Sequence, residues 1–311
     1  MRMRLVLGLA ALATAALSAG QADAACQNLR FGSVPQFGWQ GDGSGYNPFD
    51  ANTYKEEGTI EVQKKSGTCS YFITVSEGNA SDFNRFFEDD GYRLYYNIYD
   101  DVSLSNVLKD LPTATVNEVV VGQFGSGNSQ THTYVVSIPG GQIVPRGGYR
   151  DRVTLRLYEG TFGQSNSRED SDRLTLRTFV PEVAEIALVP TGAMFSDSAT
   201  SYTVNFGVLQ EGERERFDLL VRANVGYRVL MSSDNRGVLQ LASGAGGTVP
   251  YELTIDGRLI DLDTNNVEVA SKNGPTALAG ERYAIEVDIG TLADAVPGTY
   301  RDDITVTVRT N

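Results

Sequence analysis

The sequence predicts an all-β protein of two tandem antiparallel β-sandwiches. Two observations give the sheet class. Apolar residues alternate with polar ones over short runs, and helical spacing is nearly absent. Glycine is abundant, at 33 of 311 residues, and turn clusters recur about every ten residues, the spacing of short strands joined by tight turns. A third observation gives the number of units, because one stretch occurs twice. Residues 138–158 read IPGGQIVPRGGYRDRVTLRLY and residues 287–308 read VDIGTLADAVPGTYRDDITVTV. In each, a Pro-Gly turn leads to Tyr-Arg-Asp and then to a strand with one apolar face. That face is Val153, Leu155 and Leu157 in the first copy, and Ile304, Val306 and Val308 in the second.

Strands are expected in the first copy near Leu29–Ser33, Gly58–Lys64, Ser70–Ser76, Tyr92–Tyr99, Thr131–Ile138 and Arg152–Tyr158. In the second they are expected near Ser201–Val208, Arg216–Arg222, Tyr227–Ser232, Val249–Ile255, Tyr283–Ile289 and Asp303–Arg309. The landmarks Phe31-Gly32, Tyr95 and Tyr149 align with Phe206-Gly207, Tyr251 and Tyr300. The first copy carries extra residues in its front half, including the glycine-rich Phe37–Asn52 with the sole tryptophan, Trp39. After a polar loop at Gly160–Ser171, the first copy adds an alternating run, Arg173–Val180, that reads as one more strand. The second copy has no such supplement, because the sequence stops three residues after Val308. A sandwich without its last strand exposes an edge and an apolar groove. The second unit is therefore either complete with fewer strands or finished by a partner.

Residues 1–24 read as a secretory signal: Arg2 and Arg4, an apolar run over Leu5–Ala16, then Ala22-Asp23-Ala24 as a cleavage site. The run is too short to span a bilayer. The domains are then 25–180 and 181–311, with Pro181–Ala184 as linker. In an oxidising compartment the two cysteines, Cys26 and Cys69, are expected to pair. The formal charge of −13 argues against nucleic acid, whose phosphates would be repelled, and suits solubility.

Catalytic patterns are weak. The one histidine, His132, sits in a strand-like run, and neither a Gly-x-Ser-x-Gly elbow nor zinc spacing occurs. Asp261, Asp263 and Asn265 begin like a calcium loop, but Asn266 stands where glycine is needed and Lys272 where glutamate is. No lysine follows the glycines at 41, 43 and 45, so they form no phosphate cradle. Paired carboxylates such as Asp89–Asp90 are no different from solvated loop charge. Neither an enzyme nor a cofactor or metal site is expected.

The repeated motif GGYRDRVTL and GTYRDDITV, together with LYYNIYDD and the Phe-Gly opening, resembles the spore coat protein U domain. The resemblance covers nearly all of the first copy and mainly the last third of the second. That family includes subunits of archaic chaperone–usher pili. It implies immunoglobulin-like sandwiches, with the second lacking its last strand and completed by a donor strand from a neighbouring pilin. Ile304, Val306 and Val308 would line the groove. It also implies a periplasmic chaperone, an outer-membrane usher, and export to the cell surface of a Gram-negative bacterium. Cleavage after Ala24 would leave only Ala25 before Cys26, hence no strand to donate, which suits a two-domain tip adhesin.

Family tip adhesins are expected to present apolar loops to an abiotic or host surface. By composition the candidates here are Phe37, Trp39, Tyr46 and Phe49 in the glycine-rich stretch, and Val121 and Phe124 in VVVGQFGSG. Each could instead be core. For Phe86 and Phe87, near a third stretch at Asp82–Gly91, the core reading is preferred. Tyr149 and Tyr300 read as corner residues. Arg150–Asp151 and Arg301–Asp302 read as solvated charges or a local turn pair, with little energetic weight.

Overall fold

The computed structural model describes residues 25–38, 45–164, 166–244 and 246–311. The signal-like residues 1–24 and Trp39 lie outside them. The strands in chain order are β1 (Arg30–Phe31), β2 (Phe37–Gly38), β3 (Tyr54–Gln63), β4 (Cys69–Val75), β5 (Phe86–Asp89), β6 (Tyr92–Tyr95), β7 (Asn97–Tyr99), β8 (Val120–Phe124), β9 (Ser129–Ile138), β10 (Gly147–Glu159) and β11 (Ser167–Val180). Then follow β12 (Ala184–Pro190), β13 (Arg214–Ala223), β14 (Tyr227–Ser233), β15 (Val238–Leu241), β16 (Thr248–Ile255), β17 (Arg258–Ile260), β18 (Val267–Lys272), β19 (Glu281–Ile289), β20 (Tyr300–Arg301) and β21 (Ile304–Thr310). Among the described residues, no helix is long and apolar enough to cross a membrane.

The first sandwich packs sheet β1-β3-β9-β7 against sheet β2-β11-β10-β4-β8. The second packs β12-β13-β19-β16 against β18-β14-β21, with β15 and β20 continuing the larger sheet. Five strands correspond: β3, β9, β4, β8 and β10 recur as β13, β19, β14, β18 and β21. Among the described residues, β11 and the short β2 beside it have no counterpart in the second sandwich. Each sandwich has its own core. Ile60, Val62, Ile73, Leu155 and Leu176 belong to one, and Leu219, Val229, Leu253 and Ile285 to the other.

The expected long strand at Tyr92–Tyr99 divides. β6 pairs with β5 in one layer and β7 pairs with β9 in the other. Tyr96, at the break, is buried in the core. The expected strand at Ser201–Val208 forms no ladder. Gly207 takes φ +66° and its N–H is capped by the Asn205 side chain, which breaks the extended run. β12, not this segment, occupies the edge beside β13. Conversely, the polar stretch expected as loop up to Ser171 already belongs to β11 from Ser167. Its outer half is exposed on both faces, so it carries no apolar alternation. Cys26 and Cys69 form the expected disulfide, across which the Cys26 N–H donates to Glu159 Oε1 at 2.7 Å.

His132 of β9 lies 2.7 Å from the Tyr71 hydroxyl, and burial lowers its pKa from 6.5. The unfolded chain therefore binds the proton more tightly. The stability that the neutral ring contributes is present above pH 6.5 and lost as pH falls from there through the lower folded value. His132→Gln is expected to flatten the stability profile between pH 7 and 5, measured by urea midpoints at each pH. An unchanged slope would refute the assignment.

Candidate functional site: an open groove in the second sandwich

The repeated Tyr-Arg-Asp motif builds the same clamp in both sandwiches. The Tyr149 hydroxyl donates to the Pro145 carbonyl, and the Tyr300 hydroxyl to the Val296 carbonyl, each at 2.9 Å and four residues back. Both tyrosines are thus corner residues. The aspartates are not solvated charges. Asp151 is 2% exposed, and accepts from the Tyr96 hydroxyl at 2.7 Å and the Asn79 N–H at 2.8 Å. Asp302 accepts from the Tyr251 hydroxyl at 2.6 Å, the Ser233 hydroxyl at 2.6 Å and the Asn235 N–H at 3.0 Å. The true counterpart of Tyr251 is therefore Tyr96, one residue beyond the expected Tyr95. Burial raises the Asp151 carboxyl above its usual 3.8, against the pull of its hydrogen bonds.

The clamps place β10 and β21 in equivalent positions, but their surroundings differ. β10 is paired on both sides, with β11 along its whole length and with β4 and β5. β21 pairs with β14 on one side, and among the described residues no strand pairs with its other edge. The consequence shows in burial. Val153, Leu155 and Leu157 are fully buried, whereas Ile304, Val306 and Val308 are only half-buried.

Beside that edge runs a groove of about 1280 Å³. Its floor includes Met231, Tyr251, Leu253, Ile285 and Val287 from the two sheets. One wall is Val296–Val306 and the other is the ladderless segment Thr200–Leu209. Tyr202 of that segment stacks on Phe217 with ring centroids 4.8 Å apart. Of the three β21 residues with an inward apolar side chain, Ile304 and Val306 are in the lining of this groove. Val308 is not part of its lining, although all three pack against the core of the second sandwich. The segment Thr200–Leu209 and Val296 carry no sequence signal of a groove wall; the alternation Tyr202, Val204, Phe206 predicts a strand instead.

Most of the expected surface residues are interior. Phe37 is 6% exposed, Tyr46 0%, Phe49 7% and Phe124 2%. β2 pairs in parallel with β11, which carries the Phe37 ring to within 6.2 Å of Tyr134. Tyr46 donates to the Pro139 carbonyl and accepts from the Gln142 N–H, and burial pushes its pKa up to about 12. Phe49 is packed at the junction with the second sandwich, its ring 6.0 Å from the Arg222 guanidinium carbon. Phe124 fails for a different reason: its glycine neighbour Gly122 is in a strand rather than a flexible loop. A side chain there would collide with the Tyr71 ring, and Tyr71 packs at 5.1 Å on Phe124.

Val121 alone of the described candidates faces solvent, at 57% exposure. It lies opposite Phe72, which lies opposite Tyr158. The Phe72 and Tyr158 rings stack at 5.0 Å, with Phe162 edge-on at 5.2 Å. The chain over this cluster exposes Leu111 and Val116. Tyr158 is eleven strand residues from Gly147, about 35 Å at ~3.3 Å per residue. The linker contacts, Arg146 with Glu182 and Asn224 Nδ2 to the Pro181 carbonyl, are at the Gly147 end. Val121 is therefore near the end of the first sandwich remote from the second.

A group of possible metal ligands among the described residues is Cys26, Cys69 and Glu159, where both sulfurs are already in the disulfide. Asp261 accepts the Asp263 N–H in a local turn.

The architecture is that of a tandem immunoglobulin-like β-sandwich protein with its first unit closed and its second open. Residues 9–156, which cover most of the first sandwich, match the family model of the Spore Coat Protein U domain. No curated protein sequence matches. Among solved structures, the chain is similar to the CsuC–CsuE chaperone–tip adhesion subunit pre-assembly complex from archaic chaperone-usher Csu pili of Acinetobacter baumannii (12% identity, 89% of this chain and 99% of that chain, TM-score 0.42). It is also similar to the CupB6 tip adhesin from Pseudomonas aeruginosa (11% identity, 91% and 94%, TM-score 0.39). A third is CfaE, the adhesive subunit of CFA/I fimbria of enterotoxigenic Escherichia coli (11% identity, 91% and 81%, TM-score 0.32).

Proposed function

We propose that this protein is the tip subunit of a chaperone–usher pilus on a Gram-negative bacterium. Residues 1–24 would direct export, residues 25–180 form the adhesin domain, and residues 181–311 form a pilin-like anchor. The observation that carries the reading is the contrast between β10, sealed by β11, and β21, whose outer edge and apolar groove are open. An open apolar edge invites aggregation unless something covers it. In the periplasm that cover would be a chaperone; in the fibre it would be a strand from the next pilin, delivered at the outer-membrane usher. The activity is binding rather than chemistry.

The test is purification from the periplasm with and without the chaperone of the same operon. A one-to-one complex is expected, and the protein alone should aggregate or be proteolysed. A soluble, protease-resistant monomer without chaperone would overturn the proposal.

Surface binding would fall to the exposed apolar residues around Val121, with Val116 and Leu111, at the remote end of the first sandwich. Changing Val121 and Val116 together to aspartate is expected to cut adhesion at least tenfold while leaving pilus assembly intact. Binding assays on bacteria beside pilus counts would read both. Unchanged adhesion would favour a second reading, a structural pilus or coat subunit without a ligand. The burial of Phe37, Tyr46, Phe49 and Phe124 speaks for that reading.

A further inference from the structure

The first sandwich contains a strand that occupies the place left open in the second. Tyr149, Asp151 and Val153 stand 151 positions before Tyr300, Asp302 and Ile304, and the identical clamps make that offset a structural one. The register of β10 with β11 can therefore be carried over to β21. In the first sandwich Leu174 lies opposite Val153, Leu176 opposite Asp151, Thr178 opposite Tyr149 and Val180 opposite Gly147. These four side chains point inward and are buried, while Arg177 and Phe179 between them face out. The corresponding positions in the second sandwich are Ile304, Asp302, Tyr300 and Gly298, and all four line the open groove.

The match ends at the same place in both units. From Asp172 back to Ser167, β11 is polar and largely exposed. Asp172 and Asp170 lie opposite Leu155 and Leu157, which correspond to Val306 and Val308. Val306 is the last β21 residue in the groove lining, and Val308 lies beyond it. Thus the groove extends over the span that the apolar half of β11 fills in the first sandwich.

We propose that the occupant of the groove is an extended segment antiparallel to β21, whose inward positions carry the pattern Leu-x-Leu-x-Thr-x-Val of residues 174–180. This rests on the reading of the groove as a strand acceptor and adds the direction, phase and side-chain classes of the strand. Leucine-sized residues lie opposite Ile304 and Asp302. A β-branched residue lies opposite Tyr300, and shape rather than polarity selects it, because the buried Thr178 hydroxyl finds no hydrogen-bond partner. A small β-branched residue lies opposite Gly298. A strand displaced by one residue would turn the wrong side chains inward.

The experiment appends a copy of residues 161–180 to the full chain directly after Asn311, which is the position equivalent to Gly160. Two control chains carry the same extension, one with the Leu174 and Leu176 equivalents changed to asparagine, the other with an alternating valine–threonine strand in the same phase. Size exclusion selects monomers; calorimetry and hydrogen exchange follow the second sandwich. The copy is expected to raise the unfolding midpoint of that sandwich by roughly 10 °C and to slow exchange of the β21 amides at least a hundredfold. The asparagine control should do neither. If the valine–threonine strand stabilises and the copy does not, the groove accepts a strand but β11 is not its template, and this proposal fails alone. If neither stabilises, the strand-acceptor reading fails with it.

Discussion

Replacing Asp151 by alanine is expected to lower the stability of the first sandwich by about 3 kcal/mol. The carboxylate is buried and accepts from the Tyr96 hydroxyl and the Asn79 and Arg152 N–H groups. Deleting it orphans these donors together, and an unsatisfied buried donor costs ~1–3 kcal/mol. Asp151→Asn keeps an acceptor oxygen and should cost about half as much. Hydrogen exchange of the β10 amides localises the loss to this unit. A change below about 0.5 kcal/mol would return the motif to the class of solvated surface charge. The variant also has a pH signature. Because burial raises the Asp151 carboxyl above 3.8 in the folded state, the wild-type first sandwich loses stability as pH rises from 3.8 through the folded value. The asparagine variant should lack that decline.

Replacing Cys26 and Cys69 together by serine is expected to cost the first sandwich roughly 4 kcal/mol, the chain-entropy value for a loop of this length. The bond joins residues 43 apart and ties the first described residues to β4. The second sandwich has no cysteine and should keep its unfolding midpoint. Denaturant unfolding with and without reductant checks both expectations in one chain. Equal losses in both sandwiches would show that the units do not unfold independently.

Much of the architecture was legible because strand periodicity is local. Residues Val153, Leu155 and Leu157, or Val249, Tyr251, Leu253 and Ile255, announce a buried face without reference to any neighbour, and β10 and β16 fell where expected. The repeat was equally legible, and it located both tyrosine corners. The weight of Asp151 and Asp302 was not, because it depends on donors 55 and 51 residues away in Tyr96 and Tyr251. A charge beside an arginine looks solvated until the sheet that buries it is assembled.

The all-β class, the tandem units, the disulfide partners and the extra strand of the first copy were thus legible in the chain alone. These depend on alternation, count and order along the chain. Which aromatics are interior depended on tertiary packing, because glycine in VVVGQFGSG means flexibility in a loop but ring clearance in a strand, and Gly122 is in a strand beneath Tyr71. The same packing sets where the open edge becomes a groove. Ile304 and Val306 line it and Val308 does not, a distinction that rests on the packing around each residue, because the alternation along the chain is the same for all three.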